Sequence, residues 1–270
     1  MMSLILIGRR GLSPESELPI GPPPASGSGF NIFRDFNSGT VGTAANRTAD
    51  GFDDVAGDSL YTTEQVYEGS QACKLSIASG ATGWGKWGGA ILFPEIVEKG
   101  RDLWIDLHVR MPASFIIETP GNGSLKYLRV RQRTAAGALT GYFDLQFQDD
   151  DKTISEFRML KEGQAVWQNF GTNGVFTREV WHRHTLHMHL DDVLPASGGT
   201  SRIRFWQNGA LQVDSATIKT ILNPTDYADG LYLFTYWNGG APQDQSLYVD
   251  QIRVSTDTVP SWATGLAGVP

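Results

Sequence analysis

The sequence holds a single cysteine, Cys73, which excludes an internal disulfide and any cysteine-rich zinc site, so nothing in it asks for an oxidising compartment. Long apolar runs are equally scarce. The run nearest the start, Leu4-Ile5-Leu6-Ile7, is four residues long, far short of the roughly 18 a membrane span needs. Its arginines, Arg9 and Arg10, follow the apolar run, whereas a secretory signal carries its positive charge ahead of it. The expectation is a protein without a signal peptide, made in the cytoplasm, with no membrane partner. A basic surplus is also missing: 22 Lys and Arg stand against 29 Asp and Glu, for a net charge of −7, which speaks against a nucleic-acid partner. No segment sustains a helical period.

Turn formers and rings are what the chain has in quantity. It contains 31 Gly and 13 Pro in 270 residues, with 8 Trp, 8 Tyr and 13 Phe, a composition suited to many short strands joined by turns. Residues 14–29 read PESELPIGPPPASGSG, an extended Pro-rich and then Gly/Ser-rich stretch with no core of its own. The chain therefore divides into an N-terminal arm (1–29), a body (30–258) and a C-terminal tail (259–270). The arm is read either as disordered or as a docking element that adds a strand to a partner's sheet edge.

Period-2 alternation runs through the body. Leu103, Ile105, Leu107 and Val109 share one face of their strand, with Trp104, Asp106, His108 and Arg110 on the other. In 126–133, Leu128 and Val130 oppose Tyr127, Arg129, Arg131 and Arg133. In 142–148, Phe143, Leu145 and Phe147 oppose Tyr142, Asp144, Gln146 and Gln148. Similar alternation recurs around 181–190, 202–206, 231–237 and 247–254, and Asn208-Gly209 between two such runs is a strong hairpin signal. The fold class expected is all-β: a two-sheet antiparallel β-sandwich preceded by an extended arm.

The C-terminal half carries a more particular series: Trp181-His-Arg-His-Thr-Leu-His-Met-His-Leu190, Arg202-Ile-Arg-Phe-Trp-Gln-Asn-Gly209, Leu231-Tyr-Leu-Phe-Thr-Tyr-Trp-Asn-Gly-Gly240 and Leu247-Tyr-Val-Asp-Gln-Ile-Arg-Val-Ser-Thr-Asp257. It resembles the concanavalin A-like lectin/glucanase jelly roll, in the branch that contains polysaccharide lyases. The resemblance spans about residues 30–258 and implies a sheet that receives a glycan. Trp104, Tyr127 and Tyr142 can stack on sugar faces, Arg129, Arg131 and Arg133 can pair with carboxylates or sulfates, and Gln146 and Gln148 can hydrogen-bond hydroxyls. Trp84 and Trp87, in the Gly-rich loop 83–89, suit either a stacking platform beside that groove or a subunit contact.

As a lyase, the resemblance implies Arg129 or Arg131 with Gln146 to neutralise a uronate carboxylate, His108 as base, and Tyr142, Tyr232 or Tyr236 as acid. The family's alginate-lyase strings are absent, however; Tyr142-Phe143 keeps only the first two letters of one of them. The E-x-D-x-E string of glucanases is missing too, which removes the paired acids of a glycosidase. The resemblance further implies a structural calcium held by Asp250 on the last strand and Asp35 near the start of the body, with no other cofactor required. His182 and His184 continue a buried face, and His187 and His189 are expected in solvent. Cys73 is expected as a small buried hydrophobe.

With catalytic strings missing and an arm in front, the sequence leads to a non-enzymatic, lectin-like module anchored through its arm to other subunits of an assembly, with acidic polysaccharide as a further partner. It resembles phage virion decoration or tail-associated proteins, and its expected state is oligomeric or virion-associated. The alternative is a lyase that cleaves a uronate-containing glycan by β-elimination.

Overall fold

The computed structural model describes residues 27–46, 50–55, 58–83, 87–117, 124–149, 155–164, 168–170 and 177–269. The arm therefore lies outside the described residues except for its last three positions, as does Trp84. In chain order the strands are β1 (Asn31–Arg34), β2 (Asp54–Val55), β3 (Ser59–Thr62), β4 (Ala72–Ile77), β5 (Gly89–Glu98), β6 (Asp102–Arg110), β7 (Ser124–Arg133), β8 (Leu139–Asp149), β9 (Ser155–Lys161), β10 (Gln168–Phe170), β11 (Trp181–His189), β12 (Arg202–Gln207), β13 (Ala210–Ser215), β14 (Tyr227–Trp237) and β15 (Gln245–Thr256). Among the described residues the only helical element is one 3₁₀ turn, Pro195–Ser197.

They form two antiparallel sheets. One runs β13-β12-β11-β6-β15-β4-β3, with β1 on the far half of β15; the other runs β10-β9-β8-β7-β14-β5-β2. Their inner faces meet in one core that includes Leu75, Ile105, Leu107, Val130, Phe143, Leu145, Phe147, Leu186, Leu233 and Val249, the residues that alternation assigns inward. Cys73 is fully buried there. Asn208 and Gly209, at φ of 50° and 81°, turn β12 into β13, which is the left-handed pair that an Asn-Gly hairpin needs.

Bulges interrupt the alternation where it matters. β7 slips register against β8 between Lys126 and Leu128, which turns Tyr127 inward beside Leu128 and leaves Lys126 on the outer face with Arg129. β14 slips twice, at Ala228/Gly230 and at Leu233/Tyr236. The first slip leaves Asp229 among the outer-face arginines of β7, and the second sends Phe234, at φ of 53°, into the core.

The last residues, Val259–Val269, are not a free tail. Trp262, Ala263, Leu266 and Val269 pack with Trp104 and Trp206 on the outer face of the β6–β11–β12 sheet. The Trp206 indole donates to the Ala267 carbonyl at 2.8 Å.

Candidate functional site

The outer face of the β7–β8–β14 sheet gathers cations, rings and carboxylates. Arg129 donates through Nε to Asp144 at 2.9 Å and through Nη2 to Glu162 at 3.3 Å, and its guanidinium carbon stands 3.7 Å from the centroid of the Tyr142 ring. Lys126 reaches the same two acids, Asp144 at 3.2 Å and Glu162 at 2.6 Å, with its ammonium 5.1 Å from the centre of the half-buried Tyr236 ring. Burial alone would raise the Asp144 carboxyl; Arg129 and Lys126 outweigh it and hold Asp144 below its usual range. Gln146, fully buried, donates to Asp144 at 3.4 Å and accepts from Arg158 at 3.3 Å. One compact corner thus holds Lys126, Arg129, an amide and two phenols, locked by two carboxylates, with Arg158 on the far side of the amide.

Next to it, Arg131 makes a two-pronged pair with Asp229 at 2.6 and 2.8 Å and donates to the Tyr232 hydroxyl, while Arg133 reaches Asp229 at 2.9 Å. Burial pushes the Tyr232 phenol up to about 12. Lys161, buried at the end of β9, donates to the carbonyls of Thr140 and Glu162 at 3.0 Å and so braces the Glu162 corner; burial pushes its ammonium down to about 8.

The structure thus brings together Arg129, Arg131, Arg133, Tyr142 and Gln146, with Gln148 further along β8 opposite Ser124. It separates the rest. Tyr127 lies in the core, its hydroxyl 2.8 Å from Nδ1 of His184, because the β7 bulge reverses its side. Trp87 is also core, stacked on Trp237 at 5.7 Å between ring centres, and offers no surface to a sugar.

His108 and Trp104 point outward from the other sheet, across the whole sandwich from Arg129. Trp104 is covered by the C-terminal segment, and His187, expected in solvent, is buried beside it with ring centres 4.1 Å apart. His108 is buried under Tyr67, and burial together with Arg183 and Arg253 pushes it down to about 3. A base for chemistry beside Arg129 cannot come from there. Indeed all five histidines lie on β6 and β11, so none belongs to the Arg129 face.

Sequence reading missed Lys126, Glu162 and Asp229. Strict alternation puts Lys126 on the wrong side of a bulge, Asp229 reaches the face only through a bulge, and Glu162 follows β9, whose region has no clean period.

The Asp250 carboxylate accepts the backbone N–H groups of Tyr67, Glu68 and Gln251 at 3.0, 3.2 and 2.8 Å, and the charge of Asp35 acts on it as well. Asp35 is itself hydrogen-bonded with Asp50 and Asn37. Among the described residues no group of three or more His, Cys, Asp or Glu is arranged to hold a metal ion.

No family model matches the sequence, and no curated protein matches it either. Solved structures do. Alginate lyase Aly36B superposes with a TM-score of 0.60 at 13% identity, over 88% of this chain and 98% of that one. The endo-β-1,4-glucuronan lyase of the fungus Trichoderma reesei gives 0.55 at 14% identity, over 84% and 95%. Alginate lyase vAL-1 from Chlorella virus gives 0.54 at 13%, over 80% and 99%. At such identities the likeness is one of fold: the chain shares the two-sheet antiparallel β-sandwich of these lyases. The expectation of a non-enzymatic virion module is accordingly corrected, since the three structures named are lyases and favour the lyase alternative.

Proposed function

We propose that the chain is a polysaccharide lyase that cleaves an acidic, uronate-containing glycan by β-elimination on the outer face of the β7–β8–β14 sheet. The observation that carries this reading is the Lys126–Arg129 pair held between Asp144 and Glu162 beside Tyr142, Tyr236 and Gln146. In such a reaction a side-chain base removes the C5 proton, the C5–H electron pair becomes the C4=C5 double bond, and the C4–O bond breaks. The departing oxygen takes a proton from a side-chain acid. Neutralising the C6 carboxylate stabilises the charge that builds at C5; Arg129 and Lys126 supply cations for it, while the fully buried Gln146 braces Asp144 beneath them. Tyr236 and Tyr142 supply the phenols that exchange protons.

The fold shared with alginate and glucuronan lyases supports this assignment. So does the fact that Aly36B binds an alginate tetrasaccharide as a variant in which a lysine and a tyrosine are both changed to alanine, the two residue types that meet here as Lys126 and Tyr236. The test is Tyr236→Phe assayed on alginate and glucuronan by the ultraviolet absorbance of unsaturated uronate ends. The expected result is a fall in turnover of about 10²-fold or more with the unfolding transition unchanged; full activity would remove Tyr236 from the chemistry.

A further inference from the structure

The opposite side of the sandwich carries its own cluster of rings and guanidinium groups. Of the large hydrophobic side chains exposed among the described residues, the two aromatic ones, Phe33 at 48% and Tyr67 at 46%, both belong to the outer face of the β1–β15–β6–β11 sheet. Tyr67 lies flat on His108, with ring centres 3.7 Å apart and planes 17° from parallel, and meets the half-buried Trp181 edge-on at 5.9 Å. Its loop is tied down by the backbone N–H groups of Tyr67 and Glu68 on the buried Asp250 carboxylate. One face of the Tyr67 ring is therefore backed by a rigid imidazole that burial keeps neutral, and the exposed remainder is open to solvent.

Cross-strand registry places charge around it. Arg110 sits between Tyr248 and Trp181, His108 between Asp250 and Arg183, and Asp106 between Arg253 and Thr185. Arg183 and Arg253 share the one buried carboxylate of Asp106, at 2.8 and 3.4 Å. Arg253 also spans the Phe33 ring at 5.0 Å. Of the nearby acids, Glu179 is held by Arg110 at 2.6 Å, Glu64 by Lys74 at 2.7 Å, and Asp250 is buried beneath the Tyr67 loop, where burial pushes its carboxyl up to about 7; Arg183 and Arg253, each about a quarter exposed, are the cations that reach solvent beside the ring.

A backed ring with an open face stacks well on the C–H face of a pyranose, and flanking guanidiniums recognise carboxylates. We infer that this face is a second, non-catalytic glycan-binding surface, with Tyr67 and Trp181 stacking sugar rings of an acidic polysaccharide whose carboxylates meet Arg183 and Arg253. It rests on the proposed lyase reading only for the kind of polymer. Placed across the sandwich from Arg129, it would let one molecule hold a polymer strand while the other face works on another.

The test is retardation in gels loaded with alginate, glucuronan or neutral xylan, run with the intact protein, Tyr67→Ala, Trp181→Ala and Arg129→Met, each checked by thermal unfolding. The intact protein and Arg129→Met are expected to be retarded by the two polyuronates. Tyr67→Ala and Trp181→Ala should each lose about fivefold or more in affinity while keeping turnover of short oligosaccharides. Where Tyr67→Ala does not fold, Trp181→Ala, which leaves the hydrogen bonds of the Tyr67 loop to Asp250 in place, decides. Unchanged retardation in Trp181→Ala would overturn the inference, as would equal retardation in neutral xylan. Loss of a dimer rather than of glycan affinity would also overturn it and assign the patch to a second copy of the chain. A retarded protein that cleaves nothing would uphold this surface and refute the lyase reading.

Discussion

The Arg129 guanidinium lies 3.7 Å over the Tyr142 ring while its Nε donates to the fully buried Asp144. A cation at 2% exposure bears a desolvation cost that only its partners offset, and here the partners are two acids and a ring face. Such a group cannot swing out to meet a ligand. The ligand's carboxylate must come to it, which is the preorganised arrangement that electrostatic catalysis uses.

Replacing Arg129 by Met should therefore cost stability as well as activity. With Arg129 gone, Lys126 alone opposes burial at Asp144, so the folded pKa of that carboxyl should rise from its lowered value. The resulting penalty is fully present where Asp144 is ionised with and without the substitution, and it fades as the carboxyl is protonated. Chemical denaturation should show a loss of about 3–5 kcal/mol at neutral pH that shrinks as the pH falls toward 4. A pH-independent loss would mean that Asp144 does not feel Arg129.

Tyr127→Phe should separate core from site. It removes the 2.8 Å bond to His184 and leaves the sheet face untouched. The expected loss is about 1–2 kcal/mol of unfolding free energy with turnover unchanged. A selective loss of turnover would return Tyr127 to the groove.

His108→Ala should leave turnover of short oligosaccharides within about twofold of the intact protein, since proton transfer demands hydrogen-bond reach and His108 is on the other sheet. It should lower the unfolding temperature, because Tyr67 loses its stacking partner. Abolished turnover in a folded variant would contradict the placement of the site.

Removing residues 259–270 should uncover Trp104 and Trp206. Both are at most 2% exposed beneath that segment. The expected results are a lower unfolding temperature and concentration-dependent association by light scattering; a monomer of unchanged stability would mean that the segment does not cover them.

The strands and both sheets were legible because alternation tracks burial: Leu103–Val109 and Phe143–Phe147 point as their sequence says. The Asn208-Gly209 hairpin was legible for the same local reason. What sequence could not supply was which strands share a sheet. β6 and β7 follow one another in the chain yet belong to opposite sheets, so Trp104 and His108 were grouped with Arg129 although the core lies between them. Bulges hid Lys126 and Asp229 and misplaced Tyr127, since one inserted residue reverses every side-chain direction that follows. The cover over Trp104 comes from a segment about 150 residues later, beyond any local pattern.

The most direct test of the account is to incubate the intact protein with alginate and glucuronan and follow ultraviolet absorbance and reducing ends together. β-Elimination on the Arg129 face predicts that both rise in step and that Tyr236→Phe stops both. Reducing ends without absorbance, or neither signal on any polyuronate, would contradict the proposed chemistry.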